Sequence, residues 1–346
     1  MPAKPALANL LRHAALVALA LAAFACSKPA DRPPALLRLG YFANVTHAPA
    51  LVALDQGFLE KELPPGASLE THTFNAGPEA VEALFSNAID AAYIGPNPAI
   101  NAFAQSHGEA IRIIAGATSG GAALVVQPSI ETPAQLRGAK LATPQRGNTQ
   151  DVALRAWLAK QGLSANLEGG GDVSVVPQQN AQTLETFRAG TIQGAWVPEP
   201  WAARLVLEGG GKVLVDERSL WPDGKFVTTH LIVRATFLKE QPQLVAALLR
   251  AHVRAVDFLN AEPAQSREIV NRSIEKLTGK ALPAAVIERA WGTLTFTVDP
   301  IASSLRRSAE DATAVGLLQP VKLDGIYDLT ALNAILAAAG RPQVAQ

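Results

Sequence analysis

The chain of 346 residues is 49% hydrophobic and 17% charged, which is too apolar for disorder and long enough for two packed cores. Thirty basic and thirty acidic residues cancel, so no net field recruits nucleic acid or an anionic membrane surface, and no basic stripe interleaved with aromatics is present.

At the amino terminus, Lys4 and Arg12 precede an apolar run, Ala14 to Ala25, too short to span a bilayer comfortably. Residues 1–25 are therefore expected to be a secretory signal. Cys26, the only cysteine, follows small Ala25 and opens a polar, proline-rich tether, SKPADRPP. It cannot form an intramolecular disulfide and resembles the lipid-modified cysteine of bacterial lipoproteins, although Ala23 and Phe24 depart from the usual signal. A conventional signal cut nearby is the other reading. Either way the mature chain is expected outside the cytoplasm, in the periplasm or on the outer face of the cytoplasmic membrane, with residues 26–35 as lipidated cysteine and tether.

Beyond the tether, short apolar runs alternate with helical patterns. LLRLGY, SLETHTF, IDAAYIG and IRIIAGA read as strands, separated by helices at PALVALDQGF, PEAVEALFS and PAINAFAQS. The alternation continues through AALVVQP, TPAQLRG, KLATP, a long helix from about Thr149, SVVPQ, TLETFRAG, IQGAWVP, WAARLVLEGG and KVLVD. One further strand, THLIVRA, is followed only by helical segments, among them QLVAALLRAHVRAVDFLN with apolar residues at helical spacing. The expected fold class is α/β with two lobes, each a mainly parallel sheet flanked by helices. Residues 36–123 would begin the first lobe, 124–227 would form the second, and 228–346 would return to the first as a strand and a helical tail.

The functional signal lies in how the helices begin. YFANVTHAPALVAL, FNAGPEAVEAL and YIGPNPAINAF each run from strand through a polar or glycine turn to a proline and an apolar helix, with Pro49, Pro78 and Pro98 at first-turn positions. ATPQRGNTQDVALRAWL is the fourth such turn: Gly147 permits a special backbone conformation, and Asn148, Thr149 or Asp151 can cap the helix. Helix starts carry unpartnered amides and the positive end of the helix dipole, so they suit an anion. In open sheets these starts share one edge with the carboxyl ends of the strands, where ligands bind.

Two stretches bound the expected cleft. The glycines of SGGAALVV, including Ser119-Gly120, either approach a ligand with backbone amides or serve as a plain hinge. In WVPEPWAARL, Glu199 lies between two prolines and beside Trp196 and Trp201; it either meets the polar end of a ligand or caps the following helix. Thr228, Thr229 and His230 open the return crossing. The six histidines show no metal-ligand spacing, and GxSxG, Walker and dinucleotide motifs are missing. No residues suggest catalysis, a metal or a cofactor.

In order and spacing, LRLGY, FNAGPEAVEALFSNAIDAAYIGPNPAI, SGGAALVV, ATPQRGNTQDVALRAWL and GAWVPEPWA resemble the periplasmic substrate-binding proteins of ABC importers for aliphatic sulfonates, taurine and nitrate. The resemblance covers about residues 36 to 335. It implies a two-lobed type II binding-protein fold, a monomer that closes over a small solute, and a membrane permease with its ATPase as partner. Carried over by position, ligand contacts fall on Asn44, Thr46, His47, Gly77, Pro78, Gly95, Asn97, Ser119, Gly120, Asn148, Thr149, Gln150 and Glu199; Trp201 and Thr229 join them from the reading of the crossings. Only Arg146 and His47 offer cations there, so an anion would be held by amides and hydroxyls. An enzyme of thiamine-pyrimidine synthesis in the same superfamily needs a cysteine cluster, which this chain lacks. The alternative job for the cleft is binding or sensing a pyrimidine, flavin or aromatic acid by stacking on Trp196, Trp201 and Phe42.

Overall fold

Leu36–Phe42 (β1), Ser68–Phe74 (β2), Ala91–Ile94 (β3) and Ile111–Gly120 (β4) open the computed structural model, which describes residues 35–346. The signal segment and Cys26 lie outside the described residues. β3 is buried at every position, as expected of a strand covered on both faces, whereas β2, at the sheet edge, has no fully buried residue. Ala122–Val126 (β5), Lys140–Thr143 (β6), Ser174–Pro177 (β7), Gly194–Pro198 (β8) and Lys212–Asp216 (β9) form a second sheet, and Val227–Arg234 (β10) and Leu294–Phe296 (β11) return to the first. The first sheet runs β11-β4-β10-β3-β1-β2 and the second β7-β6-β8-β5-β9.

Both sheets are mixed. β1, β2 and β3 pair in parallel, as do β6, β7 and β8. The strands that bring the chain in from the other sheet run against their neighbours: β10 is antiparallel to β3 and β4, and β5 is antiparallel to β8 and β9. A strand entering from the cleft side must descend where the βαβ strands ascend, so each lobe has an inserted antiparallel strand. The region after β10 is helical except for β11, a three-residue strand antiparallel to the end of β4.

Only Gly121 separates β4 from β5, and the return runs through residues 217–226. These two crossings are the hinge. One apolar core packs on the first sheet around Ile94, Ile100 and Ile113 and includes Val152 from the helix Thr149–Lys160, so a second-lobe helix reaches the first lobe's core. Two further cores cover the faces of the second sheet, one around Leu141 and Trp196 and one around Val125 and Phe187. Among the described residues no helix is long and apolar enough to cross a membrane.

Candidate functional site

The carboxyl end of β1 delivers Phe42, the turn residue Asn44 and the 3-10 turn Val45–His47 to the gap between the lobes. The end of β6 delivers Pro144 and the helix start Asn148–Gln150 from the other side. They enclose a cavity of about 20 Å3 lined by Phe42, Asn44, Thr46, His47, Asn75, Gly95, Pro144, Asn148, Thr149, Gln150, Asn180, Pro198, Thr228 and Thr229. That is room for one water-sized group, so the lobes are closed and a larger solute enters only when they part.

No lining side chain carries a charge. His47 is the nearest to an exception, and burial pushes its pKa down to about 3, so it is neutral at ordinary pH. Its ring stacks on Phe42 at 4.3 Å, and its Nδ1 accepts the Phe42 amide at 3.3 Å. That bond assigns the hydrogen to Nε2, which makes His47 a neutral donor with a fixed tautomer. Arg146 lies elsewhere: it is about half exposed and reaches Glu168 at 3.3 Å.

The strongest polar feature is the start of the helix Thr149–Lys160. Asn148 occupies the N-cap position, but its side chain donates to Gln150 Oε1 at 3.1 Å and caps nothing. Among the described residues the amides of Thr149 and Gln150 have no acceptor. Thr149 Oγ1 and Asn180 Oδ1, both buried, also lack hydrogen-bond partners. Buried polar groups left without partners carry a penalty, which a ligand able to bond them relieves.

The opposite wall is held by ordinary bonding. The hydroxyls of Thr118 and Thr229 donate to the Thr46 carbonyl at 2.7 and 3.0 Å, which fixes the turn before His47. The lobes meet directly where Trp201 Nε1 donates to Asn44 Oδ1 at 3.0 Å and where Lys160 meets Asp311 at 2.8 Å. At Gly95 the lobes also lie close: an added Cβ would fall on Thr149 Oγ1.

The structure thus brings Asn44, Thr46, His47, Gly95, Asn148, Thr149, Gln150 and Thr229 to one cavity and sets the other candidates apart from it. Gly77 packs against Pro98 and Asn148 and provides close approach, with Pro78 behind it in the first turn. Asn97 turns inward to donate to the Ser308 carbonyl at 3.1 Å. Ser119 and Gly120 line a different groove beside the hinge, with Arg218 and Asp299. Glu199 accepts the Ala203 amide at 2.9 Å, the capping geometry, because the helix beginning at Trp201 needs an acceptor. Trp201 acts as an interlobe latch, and Trp196 is fully buried, donating to Glu217 at 2.7 Å. Neither tryptophan offers a face to the cavity; Phe42 is its only aromatic ring besides His47.

Asn75 and Asn180 are lining residues that the sequence reading missed. Asn180 begins the helix after β7, a fifth strand-to-helix turn of the same kind as the other four. The polar QQN turn between β7 and that helix is the sequence signal for it. Among the described residues no cluster of His, Cys, Asp or Glu is placed to hold a metal.

Two α/β lobes joined by a double crossing and closed on a polar, uncharged cleft define the two-lobed architecture of periplasmic binding proteins. The chain belongs to the NMT1-like family, whose model matches residues 30–274. It is 29% identical over 216 residues to the taurine-binding periplasmic protein of Escherichia coli (strain K12), spanning 62% of this chain and 64% of that protein. The alkanesulfonate-binding protein SsuA from Xanthomonas axonopodis pv. citri, solved bound to MOPS, shares 24% identity over 84% of this chain and 96% of its own, with a TM-score of 0.68. The periplasmic nitrate-binding protein NrtA from Synechocystis PCC 6803 aligns over 90% of both chains with a TM-score of 0.76 at 19% identity. At these identities the two structures speak for the fold.

Proposed function

We propose that the protein is the extracytoplasmic solute-binding component of an ABC importer, capturing a small anionic solute such as an aliphatic sulfonate, taurine or a similar oxyanion and delivering it to a membrane permease and its ATPase. One observation carries this reading: the free amides of Thr149 and Gln150 and the partnerless Thr149 hydroxyl face, across the cleft, a neutral His47 donor. Such a cradle holds a permanently ionised group by amide dipoles and needs no cationic side chain. Three of the relatives are named for binding taurine, alkanesulfonates and nitrate, which supports the same class. Because the ligand contacts come from both lobes, only a form with the lobes drawn together around the solute makes all of them, and binding shifts the lobes towards that form. In this reading the role is capture and release.

A thermal-shift screen of residues 27–346 against taurine, ethanesulfonate, nitrate, bicarbonate, sulfate, a thiamine pyrimidine, riboflavin and aromatic acids tests this. A ligand at 100 times its dissociation constant adds about 2.7 kcal/mol of stability. Stabilisation by a sulfonate or another small oxyanion supports the reading; stabilisation only by neutral aromatics overturns it.

Thr149→Ala should weaken binding of the screened anion by about 1–3 kcal/mol. It should leave the melting temperature without ligand nearly unchanged, because the hydroxyl it removes has no partner in the protein. Calorimetric titration beside a melting curve checks both halves, and an unaltered affinity would sink the proposal that this helix start holds the anion.

Cys26 is proposed as the site of a lipid anchor. Changing Cys26 to Ser should move the protein from the membrane fraction to the soluble periplasmic fraction. A protein that is soluble in both forms has a plain signal.

A further inference from the structure

Asp151 places a carboxylate within the first turn of the helix whose free amides face the cavity, where an unbalanced negative charge opposes an anion. Third in its helix, it holds the position of a capping-box acid, which ordinarily turns back to the N-cap amide. Here it reaches one residue further. Asp151 Oδ2 accepts the amide of Gly147 at 2.9 Å, a residue whose φ of +74° suits glycine, and Oδ1 accepts the Thr143 hydroxyl at 3.0 Å and Arg155 Nε at 3.1 Å. The side chains of Asp151 and Arg155 are 0% and 2% exposed, and Arg155 Nη1 also donates to the carbonyls of Ala165 and Asn166 at 3.3 and 3.1 Å. The carboxylate is thus occupied and neutralised while the amides of Thr149 and Gln150 stay free.

We propose that Arg155 is a positioning residue for the anion: it cancels the charge of Asp151 and holds that carboxylate on Gly147, so that the helix start is both uncapped and attractive to a negative ligand. Arg155 lines no part of the cavity and acts only through Asp151. A buried pair adds little net stability over apolar residues of the same volume, so stability alone gives no reason for it here. Removing the arginine alone leaves an uncompensated carboxylate beside the site; removing both charges leaves a neutral turn. The inference rests on the solute-binding reading above.

The test is calorimetric titration of ethanesulfonate into the unaltered protein, Arg155→Met, Arg155→Lys, Asp151→Asn and the double Asp151→Asn/Arg155→Met, each with a melting curve. Affinity is expected to fall about tenfold or more in Arg155→Met. It should return to within about threefold in the double variant even though that variant melts no higher than Arg155→Met, and Arg155→Lys should bind nearly as the unaltered protein does. A role confined to stability would make affinity follow melting temperature and give no return. Unchanged affinity in Arg155→Met, or no recovery in the double, overturns the proposal. If Arg155→Met fails to fold, binding by the double that matches Arg155→Lys supports it, and a tenfold deficit in the double overturns it. If ethanesulfonate does not bind the unaltered protein, the solute reading fails for sulfonates. Amide exchange then decides the inference: in Arg155→Met, Gly147 exchanging faster together with changed Thr149 and Gln150 amides supports it, and unaltered exchange at all three overturns it.

Discussion

Replacing Gly95 by alanine should weaken solute binding by about a hundredfold or more, equivalent to about 2.7 kcal/mol, while leaving the ligand-free protein nearly as stable as before. Gly95 has φ −70° and ψ 159°, which alanine adopts without strain, and it precedes the helix Pro96–Gln105 in the first lobe. An added Cβ would fall on the hydroxyl of Thr149 in the second lobe, so the conflict exists only when the lobes are shut. The lobes would stop short of closure, and every contact made only in the closed form would be lost with it. The double variant Gly95→Ala/Thr149→Ala provides the sharper test. The new Cβ would stand 3.5 Å from the Thr149 Cβ, an ordinary contact, so the double should bind better than Gly95→Ala alone despite lacking a ligand-facing hydroxyl. Calorimetric titration with the best ligand of the screen measures both. A single variant that binds normally, or a double that binds no better than the single, would show that closure does not bring these residues together.

Much of this arrangement is legible in the sequence because strands and helix starts are local. Continuous apolar runs such as AAYI mark buried strands, and Pro49, Pro78 and Pro98 mark first turns that the structure places at the beginnings of helices. Strand direction is not written in alternation, so an antiparallel strand in each lobe reads like its parallel neighbours. β11 is too short, at three residues, to show any period. Roles that depend on distant partners were equally hidden. Trp196 packs into an apolar core, and Glu217, 21 residues away, accepts its indole hydrogen. Asn97 bonds the Ser308 carbonyl, 211 residues away. Asp151 was legible as a possible cap; that it is diverted to Gly147 and neutralised depends on the loop at Ala165 and Asn166 that orients Arg155. The sequence reading of Glu199 left ligand contact and capping side by side, and the amide of Ala203 is what occupies its carboxylate.

Two buried carboxyls near the hinge should each give up stability as pH rises from about 5 to 8. Burial pushes Glu217 up to about 7, against the bonds from Trp196 and Trp221 that pull it down, and the neighbouring Asp216 and Asp311 raise it further. Burial likewise pushes Glu199 up to about 7, opposed by the Ala203 amide, Arg289 and Thr293. A carboxyl raised in this way binds its proton more tightly in the folded state. Its stabilising contribution is complete below the unfolded value near 4.5 and is lost as pH climbs through about 7; the whole difference is worth about 3 kcal/mol per group. Three buried imidazoles work in the other direction: His47 lowered to about 3, and His230 and His252 lowered to about 4, contribute stability above the unfolded value near 6.5 that is lost as pH falls. The two sets oppose each other between pH 4.5 and 6.5, so the wild-type curve alone does not separate them. Glu217→Gln does, since glutamine keeps an acceptor for the Trp196 indole and mimics the protonated acid. Relative to wild type it should be no more stable at pH 5 and up to about 3 kcal/mol more stable at pH 8, read from denaturant unfolding at each pH. Parallel curves for the two proteins would mean that Glu217 is ionised in the fold and that its contacts with the two tryptophans are ordinary charge-assisted bonds.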